Sequence, residues 1–556
     1  MNSRLNMILA LVGAALSFLA APVEAIACHD LSKGLETAPN VRIDIAELVP
    51  AGSNFTGNTT NPSANINLTN LPAHCRVSAW FNTAVNNTVN FEVWLPVANE
   101  WNARLLTFGN GGWGGNVVYP DISRGLKQGF ASMSCDTGHR APSSDGVMFS
   151  DQEASIDFGH RALHLSVGHA KQIVNAFYEE PASWSYYSGC STGGRQGFAE
   201  VQRYPDDFDG ALIGAPVIWQ THLQAWENYV TIGQYPNTSD TFISTEQWTA
   251  IHNEAVRQCD TTDGLKDGLI SDPTRCYFHP ETLLCNKAST NLSACLTPPQ
   301  LANLKTKYDP WVDTNNTLVY PGMSVGSELG GIQRYTNAPV GGGYGLSFFQ
   351  YAILNDTSFT STDITFADVQ TAELINSYGA IEDAFSPNLT SFRDHGGKIL
   401  HYHGWQDSVA PSAISPLYYS NVLDFFSEHE NATSEDVSSF YRLFMVPGLQ
   451  HCSSGDGAWV LGSASQVIDP PQNNSLHNAL LALVEWTETD SAPDMLVGTR
   501  YTNVTRIGDT LIDDTVAYTR PICQWPALAE FQGDDKNNAS NWVCPPSVFE
   551  SFSTIE

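Results

Sequence analysis

The stretch "SWSYYSGCSTGGRQGFAEVQRYP" (183–205) constrains the fold more than any other part of the chain. Its first half reads as a short buried strand, and its second half as a helix that stops before Pro205. Gly189-Cys190-Ser191-Thr192-Gly193, a G-x-S-x-G, lies at the joint. A serine on so abrupt a strand-to-helix turn exposes its hydroxyl and has the helix's first N–H groups beside it. The turn calls for small neighbours, and Gly189, Gly193, Gly194 and Gly197 supply them. Taken alone the motif is weak, because a chain with 43 glycines holds many glycine-rich turns. Its surroundings give it weight.

Upstream, "NFEVWLPV" (90–97) alternates like a strand, and "RLLTFGNGGWGG" (104–115) is an apolar run that breaks into glycines. "FASMSCDTGHR" (130–140) reads as another buried strand, and "ALHLSVGHAKQIVNAFYEE" (162–180) carries apolar residues at helical spacing. "DGALIGAP" (209–216) adds a short strand. This rhythm predicts an α/β fold with a mostly parallel sheet. It degrades from Ile218 to His395 and resumes with the strands in "GGKILHYHGWQD" (396–407) and "SSFYRLFMVPGLQHC" (438–452). The expectation is a core of 26–217 and 396–556, interrupted by a lid at 218–395. The Asn/Thr-rich stretch 51–70 is expected to be a surface loop.

A serine hydroxyl needs a base to become a nucleophile, and the base needs an orienting acid. In an α/β core of this kind the chain order is serine, acid, histidine. Asp407 and His451 follow in that order, each just past a predicted strand, where α/β catalytic groups gather. His139 and His403 are the rival histidines, and His403 ranks lower because it falls within its strand. The Thr192 N–H is one expected oxyanion donor. The loop 108–115 offers the second, from Gly111 or Gly112, with Gly112 the choice.

The net charge of −32, with only 26 Lys and Arg, repels phosphate backbones and anionic lipid, so nucleic-acid and membrane-surface roles are set aside. Arg4, the apolar run Met7–Ala21 and Val23-Glu24-Ala25 read as a signal peptide over 1–25. Secretion makes disulfides the expected state of most of the eleven cysteines. It also makes the N-x-S/T sites at Asn54, Asn67, Asn237, Asn355 and Asn503 candidates for glycosylation. Cys190 precedes the candidate nucleophile and Cys452 follows the candidate base. If Ser191 and His451 touch, a Cys190–Cys452 disulfide is expected beside them. "CDTTDGLKDGLISDP" (259–273) places Asp260, Asp263 and Asp267 in one short loop; the residues alone suit a Ca²⁺ loop and a solvated acidic turn equally.

The set Cys190-Ser191, Asp407 and His451-Cys452 resembles the CS-D-HC motif of the tannase and feruloyl esterase family of fungi and bacteria. The resemblance extends over nearly the whole mature chain, through "GCSTGGRQG", "DTGHR", "YHGWQD" and "WVC". It implies an α/β-hydrolase core with an inserted lid and hydrolysis of esters of hydroxylated aromatic acids. It also implies a structural Ca²⁺ held by the Asp260, Asp263 and Asp267 carboxylates and the Leu265 and Leu269 carbonyls. Local pairs Cys28–Cys75, Cys259–Cys276, Cys285–Cys295 and Cys523–Cys544 agree with it and leave Cys135 over. "GCSTGGRQG" is closer to feruloyl esterases, of the fungal B type, than to tannases. The expected substrate is therefore a small aromatic ester or a feruloylated plant oligosaccharide, with galloyl esters as the alternative. No organic cofactor is expected. A catalytically inactive secreted calcium- or carbohydrate-binding module is the contrasting reading.

Overall fold

A computed structural model describes residues 28–31, 41–58, 65–142, 145–286, 293–330, 343–376, 383–466, 468–502, 506–507, 510–511 and 515–546. The expected signal peptide and the Asn503 site lie outside them. The central sheet has nine strands: β1 (Val41–Val49), β2 (His74–Ala84), β3 (Asn87–Pro96), β4 (Arg104–Phe108), β5 (Ala131–Cys135), β6 (Trp184–Cys190), β7 (Gly210–Gly214), β8 (Lys398–Gly404) and β9 (Tyr441–Val446). Their spatial order is β1-β2-β3-β5-β4-β6-β7-β8-β9. Pairs from β1 to β5 are antiparallel, and every pair beyond β5 is parallel.

Parallel neighbours need crossover connections that cover both faces of the sheet. Helices α1 (Tyr119–Lys127), α2 (Ala162–Tyr178) and α3 (Thr192–Arg203) make them in the first half of the chain. In α2 the buried side chains Leu163, Val167, Ala170, Ile173, Val174 and Phe177 recur every three or four residues, so one stripe packs on the sheet. β6 is buried from Ser185 to Cys190, as befits a central parallel strand.

After β7 the chain leaves the sheet and returns only at Lys398. Among the described residues of this insertion no strand joins the sheet. It carries α4 (Gln220–Thr231), α5 (Thr245–Cys259) and α6 (Pro298–Tyr308). Both α5 and α6 begin with capping boxes, Ser244 with Gln247 and Thr297 with Gln300. The later crossover helix is α7 (Ile414–Glu430).

The stretch 51–70 differs from expectation. It contains paired strands Ser53–Asn58 and Asn65–Leu71 rather than only loop. Leu68 and Leu71 are buried, and Phe55 packs against Trp94 and Tyr119 with ring centroids 5.1 and 4.8 Å apart. Three apolar anchors suffice to seat a hairpin, yet they are too few to show as alternation among so many Asn and Thr.

Candidate active site

β6 ends at Cys190, and Ser191 turns the chain into α3 with φ +66° and ψ −124°. That left-handed φ is costly for a residue with a β-carbon and persists only where the surroundings impose it. They do so through the backbone. The Ser191 N–H donates to the Gly214 carbonyl (3.0 Å), and the Ser191 carbonyl accepts from the N–H groups of Arg195 (3.0 Å) and Val217 (3.3 Å). A β-carbon on Gly194 would stand 2.4 Å from the Gly214 oxygen, and one on Gly189 2.6 Å from the Gly193 oxygen. The glycines of the motif are thus required by the approach of neighbouring backbone.

The three side chains singled out from the sequence meet here. His451 Nε2 lies 2.8 Å from Ser191 Oγ, and His451 Nδ1 lies 2.6 Å from Asp407 Oδ2. Asp407 follows β8 and His451 follows β9, and the two loops are laced together. The Gln406 N–H donates to the Leu449 carbonyl (3.0 Å), and the Gln406 side chain exchanges hydrogen bonds with Asp456 (3.0 and 3.2 Å). With Nδ1–H given to the carboxylate, Nε2 is left to accept the serine proton.

Asp407 is fully buried. Burial would raise its pKa, but the charge of His451 and hydrogen bonds from His403 and His451 hold it well below the usual carboxylate range. Its Oδ1 also accepts from the N–H groups of Val409 (2.8 Å) and Ala410 (3.0 Å). His403, a rival base in the sequence, serves the acid instead. Its Nε2 lies 3.2 Å from Asp407 Oδ2 and 3.0 Å from the Ala410 carbonyl.

Behind His403 a buried chain continues: Nδ1 to Ser415 Oγ (2.6 Å), Ser415 Oγ to His401 Nε2 (2.9 Å), and His401 Nδ1 to Tyr441 OH (2.8 Å). One assignment satisfies every member. Tyr441 donates to His401, His401 to Ser415, Ser415 to His403, and His403 to the carboxylate. Only the residue types in "HYHGWQD" could have hinted at this chain, because it depends on β8 and β9 being neighbours.

His403→Leu is therefore expected to destabilise the protein by about 2 kcal/mol at neutral pH, the scale of a hydrogen bond to a charged group. The sign with pH follows from the lowered Asp407 pKa. The stability it contributes is complete above the unfolded carboxylate value and is lost as pH falls through the folded value. Urea unfolding at a series of pH values should show the gap between wild type and variant narrowing below the ordinary carboxylate pKa.

Ser191, Thr192, Gly111, Gly112 and His451 line one cavity of about 310 Å³. Thr192 opens α3, so its N–H has no intrahelical acceptor. The loop bearing Gly111 and Gly112 is tied to that helix by the Asn110 N–H, which donates to Gln196 Oε1 (2.9 Å), and to β6 by the Gly109 N–H, which donates to the Ser188 carbonyl (3.1 Å). The other rival, His139, supports this loop, with Nε2 2.7 Å from the Trp113 carbonyl. Trp113 in turn packs against Tyr344 and Phe348 of the insertion.

Cys190 and Cys452 are joined by a disulfide, with Cα atoms 5.9 Å apart and a sequence separation of 262. Cys28–Cys75, Cys259–Cys276, Cys285–Cys295 and Cys523–Cys544 are joined as well. Cys135 is free and buried, and burial pushes its thiol up to about 12, which leaves it unreactive.

In the acidic loop, Asp260 Oδ1 accepts from the N–H groups of Asp267 and Gly268 (2.9 Å each), Asp263 Oδ1 from Leu265 N–H (2.9 Å), and Asp267 Oδ2 from Arg520 (2.9 Å). These three carboxylates do not gather within 4.8 Å of one another; among the described residues the group that does is His164, Glu200 and Asp207, on α2, α3 and the turn after α3. The acidic loop's donors are nonetheless all oxygen, three carboxylates and main-chain carbonyls, in a loop closed by Cys259–Cys276. That is the donor chemistry a hard cation takes.

Residues 75–545 match the family described as "Tannase and feruloyl esterase". The chain belongs to that family. It is 34% identical over 512 residues to a probable feruloyl esterase B-2 of Aspergillus fumigatus, covering 91% of this chain and 93% of the relative. Two crystal structures, of an esterase and of feruloyl esterase B from Aspergillus oryzae, superpose with TM-scores of 0.85 and 0.83. Each is 33% identical and covers 93% of this chain and 100% of the other. This member of the tannase and feruloyl esterase family is a serine esterase with an α/β-hydrolase fold. Among its described residues no helix is long and apolar enough to cross a membrane.

Proposed function

We propose that the protein is a secreted feruloyl esterase that releases hydroxycinnamic acids (feruloyl, p-coumaroyl, caffeoyl) from small aromatic esters and from feruloylated plant oligosaccharides. The observation that carries this reading is the His451 Nε2–Ser191 Oγ contact of 2.8 Å at the wall of the cavity. The likeness to probable feruloyl esterases B supports the acyl group. His451 takes the proton of Ser191 as Oγ attacks the ester carbonyl, and Asp407 steadies the imidazolium. The N–H groups of Thr192 and Gly112 hold the oxyanion. The alcohol leaves with the proton from His451. Water activated by the same histidine then releases the acid from the acyl-enzyme.

Secretion is supported by five disulfides, which persist in an oxidising compartment. Galloyl esters are the second reading, favoured by the polar side chains of Gln220 and Gln224 in the cavity wall. Purified protein assayed on methyl ferulate, methyl caffeate and methyl gallate tests both. Turnover of the cinnamates well above the gallate is expected, and the reverse order would make it a tannase.

Ca²⁺ in the acidic loop is part of the same proposal, held by Asp260, Asp263 and Asp267 with the Leu265 and Leu269 carbonyls. Its role there is structural, tying the loop to the body of the protein. A site saturated about a hundredfold above its Kd adds roughly 2.7 kcal/mol. For a chain of this size, removal by EGTA is then expected to lower Tm by about 2 °C, reversed by Ca²⁺ and not by Mg²⁺. An unchanged Tm would remove calcium from the account.

A further inference from the structure

Away from the cavity, one cluster of ligating side chains has no part in the mechanism. His164 on α2, Glu200 on α3 and Asp207 in the turn after α3 each bring a ligand atom within 4.8 Å of the other two. His164 Nδ1 lies 2.6 Å from Asp207 Oδ2. Glu200 is 1% exposed, and neither Oε1 nor Oε2 has a hydrogen-bond partner. Asp207 is 9% exposed and the His164 side chain 34%, so the cluster is closed around Glu200 and opens to solvent at the imidazole.

A buried carboxylate is ordinarily paired, hydrogen-bonded or bound to a metal, because its lost solvation is otherwise not returned. Glu200 has instead a second carboxylate beside it. Burial, together with the charge of Asp207, pushes its pKa well above the usual carboxylate range. Lys171 donates its Nζ to the Asp206 carbonyl (3.1 Å) and Arg203 is exposed, and neither gives Glu200 a hydrogen bond. The scaffold around the three groups is nonetheless well fixed. The Tyr204 N–H donates to the Glu200 carbonyl (2.7 Å) and the Asp207 N–H to the Tyr204 carbonyl (3.0 Å), which sets Asp207 relative to Glu200. The Tyr204 ring stacks on the His164 imidazole, with centroids 3.7 Å apart and planes 6° from parallel, and its OH lies 2.7 Å from His160 Nδ1. The plane of the His164 ring is thus held without engaging its Nδ1.

The donor set specifies the kind of ion. Ca²⁺ and Mg²⁺ take all-oxygen sites, whereas one imidazole with two carboxylates suits a first-row transition ion such as Zn²⁺. Such an ion sits about 2.0–2.2 Å from its nitrogen and oxygen ligands, so those atoms stand about 3–4 Å from one another, close to the spacing already present. We propose that His164, Glu200 and Asp207 form a site for a divalent first-row transition ion, represented by Zn²⁺, that clamps α2 to α3. The ion takes the place of the proton between His164 Nδ1 and Asp207, and the imidazole keeps its proton on Nε2. Two carboxylates balance its charge, and a water completes the coordination on the open side. Glu200 lies nine residues beyond Ser191 along α3, about 13 Å at 1.5 Å per residue, so the ion acts on stability and not on the ester.

The test is calorimetric titration of the purified full-length protein with Zn²⁺ after treatment with EDTA, with Ca²⁺ held in excess so that the acidic loop does not compete. Uptake of one Zn²⁺ per chain is expected, with Tm raised by about 2 °C at a hundredfold excess over Kd. Glu200→Gln keeps the shape of the side chain and removes its charge. It is expected to match or exceed the wild-type Tm without metal and to bind Zn²⁺ at least about tenfold more weakly. His164→Ala alters a partly exposed residue and should show the same weakening, so it carries the test if Glu200→Gln fails to fold. No uptake by the wild-type protein overturns the site, as does uptake that is unchanged in both variants. A carboxylic acid band in the infrared spectrum at neutral pH, lost in Glu200→Gln and unaffected by Zn²⁺, would also overturn it and put a proton shared with Asp207 in the ion's place.

Discussion

Replacing Ser191 by alanine is expected to lower kcat on methyl ferulate by about 10⁴–10⁶-fold while leaving the fold intact. The loss is large because the proposed acyl-enzyme route disappears with Oγ. What remains is water attack helped by the oxyanion donors and by binding. The fold should survive because alanine meets the same left-handed φ of +66° that serine already tolerates. The backbone bonds from Ser191 to Gly214, Arg195 and Val217 do not involve the side chain. Tm should therefore stay within about 2 °C, the range of a surface-like change. A serine-directed phosphonate provides a second readout. Intact-mass measurement should show one adduct on the wild-type protein and none on Ser191→Ala. An adduct on the variant, or a kcat within tenfold of wild type, would move the nucleophile elsewhere.

The triad was legible because each member sits where strand patterns end. The apolar runs of β6, β8 and β9 are buried and continuous, and the loops after them are short. Position along the chain therefore translated into position at one edge of the sheet. The Cys190–Cys452 pair followed from the same step, since neighbours of touching residues are themselves close. Other features depend on contacts between segments with no shared pattern. His403 reads as one more strand residue until β8 and β9 are paired. Only then do Ser415, His401 and Tyr441 line up behind it. The edge strand β1 is only partly covered along its whole length and carries Arg42, Asp44 and Glu47, so it reads weakly as a strand. α4 is buried on nearly every side, which erases the amphipathic stripe by which a helix is recognised. The polar residues lining the cavity are hidden for the same reason.

Removing the Cys190–Cys452 disulfide is expected to cost stability and, separately, turnover. Its loop spans 262 positions, and the chain-entropy model gives about 5.6 kcal/mol for a closure of that length. Cys523–Cys544 spans 21 and gives roughly 3 kcal/mol by the same rule. Cys190→Ser/Cys452→Ser should therefore shift urea unfolding further than Cys523→Ser/Cys544→Ser. The second effect belongs to the site. Ser191 and Cys452 both hold left-handed φ angles without being glycine, +66° and +62°. Such residues relax unless the structure over-determines them, and the disulfide ties the one's neighbour to the other. Once the tie is cut, the nucleophile's turn and the histidine's loop can each ease toward ordinary backbone. A misplacement of about 1 Å between base and nucleophile is enough to cost on the order of 10²-fold in rate. Turnover per active site, with folded sites counted by phosphonate titration at low temperature, separates the two effects. The Cys190/Cys452 variant should lose about 10–100-fold on this measure, and the Cys523/Cys544 variant should lose nothing. Equal turnover per titrated site in both variants would make the central disulfide a stabiliser of the fold alone, leaving the Gln406–Asp456 and Gln406–Leu449 bonds to hold the acid and histidine loops in register.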